Sequence, residues 1–321
     1  MKKIAVLADY LEPSHHALID STAARCGFAV DYYPDCRVPA DLTGTYEVVH
    51  GMPKPGDLKT FTGMKWFCGS FAGVDAYLDD ALYPSPEVML SNSSGAYGVT
   101  IAEHLIMVTL MLLRHADTYL HHADAHRWGP VMPMRSIIGS TITVLGTGDI
   151  GTEFARRAKA MGAKEIRGVR RTKKAADPAF DGVYTHAELD SLLPDTDILV
   201  MALPSTADTV GILSRDRIAL LPETAYVVNV GRGTAIDQSA LVEALNAGKL
   251  AGAALDVFEK EPIPAGDPAW DAKNLLITPH ISGQMSLGYT RDKNVALFCE
   301  DLENYAAGRP LKRYVDRKIG Y

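Results

Sequence analysis

The chain has 321 residues, a length that suggests about two domains, and its 47% hydrophobic and 22% charged residues are the mix of an ordinary soluble globular protein. The net charge of -7 argues against nucleic acid as a main partner, because phosphate binding needs clustered Lys and Arg. The four cysteines, Cys26, Cys36, Cys68 and Cys299, form no C-x-x-C pair and stand near no His at zinc-ligand spacing, so they read as thiols of a reducing, cytoplasmic setting and not as a metal site.

In chain order, "MKKIAVLADY" places two lysines before an apolar stretch that stops at Asp9. That is too soon for a signal-peptide core, and the stretch reads as a first β-strand. "FAVDYY", "YEVVHG" and "KWFCGS" follow as further strands with turn residues between them. The segment 101–115, "IAEHLIMVTLMLLRH", is the most apolar of the chain. It is shorter than the ~20 residues that span a bilayer and carries Glu103 and His104 near its start, so it reads as a buried helix. "RHADTYLHHADAHRW" then brings His115, His121, His122 and His126. His122 and His126 are spaced i, i+4, which can bind metal on a helix, but no acidic third ligand is obvious and a polar helix face is expected.

A second alternation of strands and helices starts with "TITVL". A helix over 151–161, stopped by Gly162, leads to the strand "KEIRGV"; "DILVMAL", "AYVVNV", "GAALDV" and "LLITP" follow. "DQSALVEALNAG" reads as a helix with Asp237 as N-cap and Gly248 as its stop. Strands alternating with helices imply parallel sheets, and two such series imply two doubly wound α/β domains. No internal repeat or low-complexity tract interrupts them.

Chemistry first becomes legible at "VLGTGDIG", where Gly146, Gly148 and Gly151 have G-x-G-x-x-G spacing between an apolar strand and a helix. In that setting the first glycine permits a tight turn, the second lets a pyrophosphate approach the backbone, and the third allows close helix–strand packing. An Asp or Glu at the end of the next strand would hold a ribose diol. Here the strand runs into Arg170, Arg171 and Thr172, which suit a 2′-phosphate through charge-assisted bonds. NADP(H) is therefore the expected cofactor, with NAD(H) as the alternative. Further on, "NVGRGTAID" puts Arg232 just after a strand, "ALDVFEKEPIP" puts Asp256, Glu259 and Glu261 after another, and "LLITPHISG" puts His280 after a third. Ligands of open α/β sheets bind outside the carboxyl ends of the strands, where these groups emerge.

"VLGTGDIG", "LPSTADTVGIL", "VVNVGRGTAID", "AALDVFEKEP" and "ITPHISG", in this order and spacing, resemble the successive signatures of the D-isomer-specific 2-hydroxyacid dehydrogenases, notably the glyoxylate/hydroxypyruvate reductase-like members. The resemblance runs from about Lys65 to Leu302. It implies two Rossmann-like domains with the active site in the cleft between them. The substrate domain would take 1–100 and 288–321, and the dinucleotide-binding domain 101–287. By motif, Arg232 matches the family's substrate-binding arginine, His280 its catalytic histidine and Glu261 the acid paired with that histidine. The chemistry implied is hydride transfer between NADP(H) and C2 of a small 2-oxoacid or D-2-hydroxyacid. His suits the accompanying proton transfer, a neighbouring carboxylate favours its protonated form, and Arg can clamp the carboxylate and polarise the 2-oxo group. Besides the glycines and the basic turn, the cofactor is expected to meet Asp149, Ile150, Leu203, Pro204, Thr209, Val230, Gly231, Asp256 and Gly283. The substrate is expected at Arg232, at the backbone N–H groups of Ala72 and Gly73 in "FAGVD", and at Met52, which stands in a loop unlike that of other members. Glu259 reads as a solvated acid, and Trp128 as a pocket-lining candidate.

The resemblance also implies a homodimer centred on the helix that begins near Ile101, with no membrane or nucleic-acid partner and no metal. No regulatory domain is expected after Tyr321, and this expectation weighs against the long phosphoglycerate dehydrogenases. Two alternatives differ in class. A non-enzymatic corepressor of the same fold senses dinucleotides and retains all three polar residues. Formate dehydrogenase pairs its histidine with a glutamine where this chain has Glu261.

Overall fold

The computed structural model describes residues 1–173 and 177–321. Its elements begin with β1 (Lys2–Leu7), α1 (Pro13–Arg25), β2 (Phe28–Tyr32), β3 (Val48–Gly51), β4 (Trp66–Gly69), β5 (Met89–Ser91), α2 (Gly98–Leu113) and α3 (Ala116–Asp124). They continue with β6 (Thr141–Leu145), α4 (Asp149–Ala160), β7 (Glu165–Arg170), β8 (Gly182–Thr185), α5 (Leu189–Leu192), β9 (Ile198–Met201) and α6 (Arg215–Leu220). The last are β10 (Tyr226–Asn229), α7 (Gln238–Asn246), β11 (Gly252–Leu255), β12 (Leu275–Ile277) and α8 (Gly288–Ala306). Two compact units result, Met1–Tyr97 with Met285–Tyr321, and Gly98–Gln284.

The first unit is a parallel sheet of order β2-β1-β3-β4-β5. Alternation along β1 fills both faces. Ile4 and Val6 pack with Ile19, Trp66, Phe298 and Leu302, whereas Ala5 and Leu7 pack with Val49, Phe67 and Leu90. Burial on two faces is why these strands read as apolar runs. Phe298 and Leu302 come from α8, so the chain's last helix completes a core begun by its first strand.

The second unit is a parallel sheet of order β12-β11-β10-β9-β6-β7-β8. The chain starts at the centre with β6, whose five residues are all buried, winds out to β8, then returns to β9 and winds out to β12. The crevice at the carboxyl ends of β6 and β9 is therefore the switch point where doubly wound sheets take ligands. Local signals hold at the helix ends: the Asp237 carboxylate accepts the Ala240 N–H at 2.9 Å to start α7. α2 buries Ile101, Ala102, Leu105, Val108 and Leu112, yet leaves Met107 exposed. Among the described residues no single helix is long and apolar enough to cross a membrane.

Candidate active site

The loop after β6 is closed on one side and open on the other. Gly146 has φ +103°, in the region glycine enters readily, and a Cβ there would sit 2.6 Å from the Ala202 carbonyl oxygen. A Cβ on Gly151 would lie 1.9 Å from the Gly146 oxygen, so helix α4 can approach the turn only without a side chain. Gly148, the N-cap of α4, is exposed, and a Cβ there would touch nothing within 4 Å. The open face thus lies at a helix N-terminus, where first-turn N–H groups and the helix dipole favour an anion. Asp149 spends carboxylate capacity on the Gly98 N–H at 2.7 Å, capping the start of α2, and Ile150 is half-buried beside it. A pyrophosphate would be met here by main chain, as the glycine spacing requires.

β7 ends at Arg170, which is paired in register with Thr185 of β8. Arg170 is half-buried, and Arg171 and Thr172 are exposed. His186, next after Thr185, has its imidazole pKa lowered, first by burial and further by the Arg217 and Arg171 cations, against the opposing pull of Asp208. The end of β7 thus presents Arg170, Arg171 and Thr172 in succession, with no acid among the three.

The loop after β9 carries Leu203 and Pro204. Thr209, buried, closes it by donating from Oγ1 to the Pro204 carbonyl at 2.6 Å and accepting the Thr206 N–H at 2.8 Å. Val230 and Gly231 follow β10, and a Cβ on Gly231 would lie 2.7 Å from the Leu203 nitrogen. The two loops therefore pack backbone to backbone beside the switch point.

Arg232, Asp256 and His280 leave the ends of β10, β11 and β12, three neighbouring strands about 5 Å apart each. Gly233 sits so close to β11's exit that a Cβ would lie 1.9 Å from the Phe258 carbonyl carbon. Asn229 braces the turn, donating to the Arg232 oxygen and accepting the Gly231 N–H, both at 2.9 Å. Arg232 Nη1 donates to the Gly231 oxygen at 2.7 Å. Glu261 bridges two groups: Oε1 accepts the Phe258 N–H at 2.9 Å, and Oε2 meets His280 Nδ1 at 2.6 Å. The histidine ring is half-exposed with its acid behind it. Glu259 is exposed, and its Oε1 meets the Gln238 N–H at 3.4 Å.

His280 has φ +51°, a left-handed backbone that a non-glycine residue holds only when its surroundings impose it. Asp256 imposes it. Its main-chain oxygen accepts the His280 N–H at 2.9 Å, and its buried carboxylate accepts Ile281 N–H and Ser282 N–H, each at 3.0 Å, and the Thr278 hydroxyl at 2.5 Å. Burial alone would push the Asp256 carboxyl up, but the bonds from Ser282, Thr278 and Ile281 outweigh it and hold the group below the ordinary carboxylate range. Because the Thr278 proton is committed to Asp256, the Thr278 oxygen accepts from His104 Nε2, 3.3 Å away. His104 itself is kept toward its neutral form by burial, with Asp256 pulling the other way. Gly283, half-buried, continues this loop.

A family model described as D-isomer specific 2-hydroxyacid dehydrogenase, NAD binding domain, matches residues 106–282. Glyoxylate/hydroxypyruvate reductase A of Klebsiella pneumoniae is 32% identical over 257 residues, which cover 78% of this chain and 80% of that protein. The chain belongs to the D-isomer specific 2-hydroxyacid dehydrogenases. A solved member from Aeromonas salmonicida superposes with a TM-score of 0.84 at 30% identity, over 98% of this chain and 99% of that one. An NADPH-dependent glyoxylate/hydroxypyruvate reductase from Sinorhizobium meliloti, solved with NADP and sulfate, superposes with a TM-score of 0.82 at 27% identity over the full length of both.

The other residues singled out in the sequence of this dehydrogenase lie elsewhere. Met52, Ala72 and Gly73 belong to the first unit, on loops after β3 and β4. Met52 is part-exposed and donates its N–H to the Leu7 oxygen at 3.0 Å. The spacing of His122 and His126 does not survive as a helical pair: α3 ends at Asp124, and His126 lies beyond it with φ +51°. His115 Nε2 pairs with the Pro133 oxygen at 2.9 Å, and Trp128 is fully exposed. Among the described residues no group of three potential metal ligands gathers. Sequence reasoning missed the carboxylate role of Asp256 and the supports Thr278 and His104. A buried Asp bonded by two successive N–H groups further along the chain leaves no local pattern to read.

Asp256→Asn, which turns an acceptor-only group into one that presents N–H to donors, is expected to cost about 1–3 kcal/mol of stability by urea unfolding at pH 7. The native carboxyl titrates below its unfolded value, so this contribution is complete above the ordinary carboxylate range and fades as the pH falls through and below about 4. The gap between wild type and variant should therefore narrow in acid. Equal unfolding midpoints at pH 7 would mean that the carboxylate does not organise the loop.

Proposed function

We propose that this protein is an NADPH-dependent reductase of small 2-oxoacids of the glyoxylate or hydroxypyruvate type. Family membership makes it an NAD(P)-dependent oxidoreductase. The observation that carries the rest is the 2.6 Å contact of His280 Nδ1 with Glu261, at the sheet edge from which Arg232 also emerges. With Nδ1 turned to Glu261, Nε2 is the nitrogen that serves the substrate.

The residues fit a dinucleotide: a turn that Gly146 and Gly151 close without side chains, an open helix N-terminus at Gly148, and a cationic turn at Arg170 and Arg171 in place of an acid. When bound, NADPH supplies the hydride that adds to C2. His280 gives its proton to the 2-oxo oxygen as charge develops there, and Glu261 steadies the cation before transfer. Arg232 holds the carboxylate and polarises the carbonyl, and the Ala72 and Gly73 N–H groups of the first unit are further donors that suit a carboxylate. Met52 shapes the space for the substituent on C2. The corepressor alternative gains no support from the relatives.

The same reading makes the protein a cytoplasmic homodimer. An apolar depression lined by Ile106, Met107, Ala160 and Met161, with Glu103 and Arg157, marks the outer side of α2 and α4. Exposed Met132 and Ile138 extend the apolar surface in the following segment.

His280→Ala and Arg232→Ala are each expected to lower kcat/KM for glyoxylate reduction by about 10²–10⁴ while NADPH still binds by fluorescence titration. Near-wild-type turnover in either would remove that residue from the mechanism. For the cofactor, kcat/KM with NADPH should exceed that with NADH, and the preference should weaken as salt rises. Arg170→Asp should reverse it, because a carboxylate now repels the phosphate and suits the ribose hydroxyls; each lost contact is worth about ten- to a hundredfold. If neither Arg170→Asp nor Arg171→Asp moves the ratio, the basic turn is not the phosphate site. Light scattering at micromolar concentration should give twice the chain mass; a monomer overturns the dimer.

A further inference from the structure

The loop after β4 runs Ser70-Phe71-Ala72-Gly73, and two of its carbonyls are held by one short segment after β5. Ser93 N–H donates to the Phe71 oxygen at 2.9 Å, and Asn92 Nδ2 donates to the Ala72 oxygen at 2.6 Å. In a trans peptide the C=O and the following N–H point opposite ways. Fixing these two carbonyls on the Asn92–Ser93 side turns the N–H groups of Ala72 and Gly73 to the other side. Among the described residues neither N–H donates to a protein acceptor. Successive amides directed to one side make an anion-binding concavity.

The Asn92 amide has one orientation available. Its Oδ1 accepts the Ser94 N–H at 3.2 Å, so Nδ2 is what faces Ala72. The side chain is buried, and Ser93 beside it is anchored from beneath. Ser93 Oγ accepts from Asn294 Nδ2 at 2.7 Å and donates to the Gly69 oxygen at 3.0 Å, while Asn294 Oδ1 accepts from the Tyr10 hydroxyl at 2.8 Å. Every group in this chain is satisfied and none reaches solvent freely, so the arrangement is stiff.

We propose that Asn92 is a positioning residue: its side-chain amide locks the Ala72–Gly73 peptide so that the Ala72 and Gly73 N–H groups converge on the substrate carboxylate. This rests on the 2-oxoacid reading above. Asn92→Asp is isosteric and keeps the acceptor for Ser94, but it sets a second acceptor against the Ala72 oxygen and releases the peptide. Asn92→Ser keeps an acceptor near Ser94 with a hydroxyl too short for Ala72.

The test compares wild type with both variants, each checked for a cooperative unfolding transition and for wild-type NADPH affinity. Oxamate, a carboxylate-bearing isostere that is not reduced, is titrated calorimetrically into each enzyme–NADPH complex, and kcat and KM are measured for glyoxylate. Oxamate Kd and glyoxylate KM should rise together by about ten- to a hundredfold, with kcat within about threefold of wild type. A folded variant with unchanged Kd and KM, or with kcat lowered at constant KM, overturns the proposal. If Asn92→Asp does not fold, Asn92→Ser decides. Wild type that binds oxamate but reduces no 2-oxoacid defeats the reductase reading alone, and the variants' oxamate affinities still decide Asn92. Wild type that neither reduces glyoxylate nor binds oxamate overturns both.

Discussion

The Asp256 carboxylate, buried and ringed by the Thr278 hydroxyl and two main-chain N–H groups, is the constraint on which the reactive edge of the second unit depends. The proton donor proposed above must face substrate and still stay put. Here the side chain is left half-exposed while the main chain under it is held from three directions, which lets His280 keep a left-handed backbone. Placing the charge one residue layer below the chemistry separates two demands that conflict at a single group. Glu261 can then be an electrostatic partner, because Asp256 already does the anchoring.

The same division recurs elsewhere. Glycines bring backbones together at Gly151 on Gly146, Gly231 on Leu203 and Gly233 on Phe258, and each approach is closer than any side chain permits. These contacts set the distances between loops that leave different strands. The polar side chains on those loops are carried on main chain whose spacing is already set, and this limits how far substitution can move them.

Much of this was legible in the chain itself. The strands of the second sheet announced themselves because both faces are buried, and the glycine loop because its spacing is dictated by close approach. Arg232, Glu261 and His280 stood out by motif, and the Arg170 turn by what it lacks. β5 and β8 did not: β5 offers only Met89 and Leu90 as apolar residues, and β8 is half-buried at a sheet edge. The His122/His126 spacing misled, because α3 stops two residues short of His126. The loop-anchoring role of Asp256, read in the sequence as a cofactor contact, and the roles of Thr278, His104 and Asn92 had no signature, since these groups bind main chain or each other across the fold, and sequence pattern records only local repeats.

The first unit is threaded from both ends of the chain, with Phe298, Leu302 and Asn294 all arriving on α8. During synthesis the second unit, 98–284, is finished only a few residues before those of α8 are added. The sheet beneath Ser70–Gly73, begun by the first strand, therefore gains its last face only when the end of the chain arrives. A chain cut before α8 would keep Arg232 and His280 on the second unit and strip the first sheet of Phe298 and Leu302, so the damage of a late truncation falls on the platform under Ser70–Gly73.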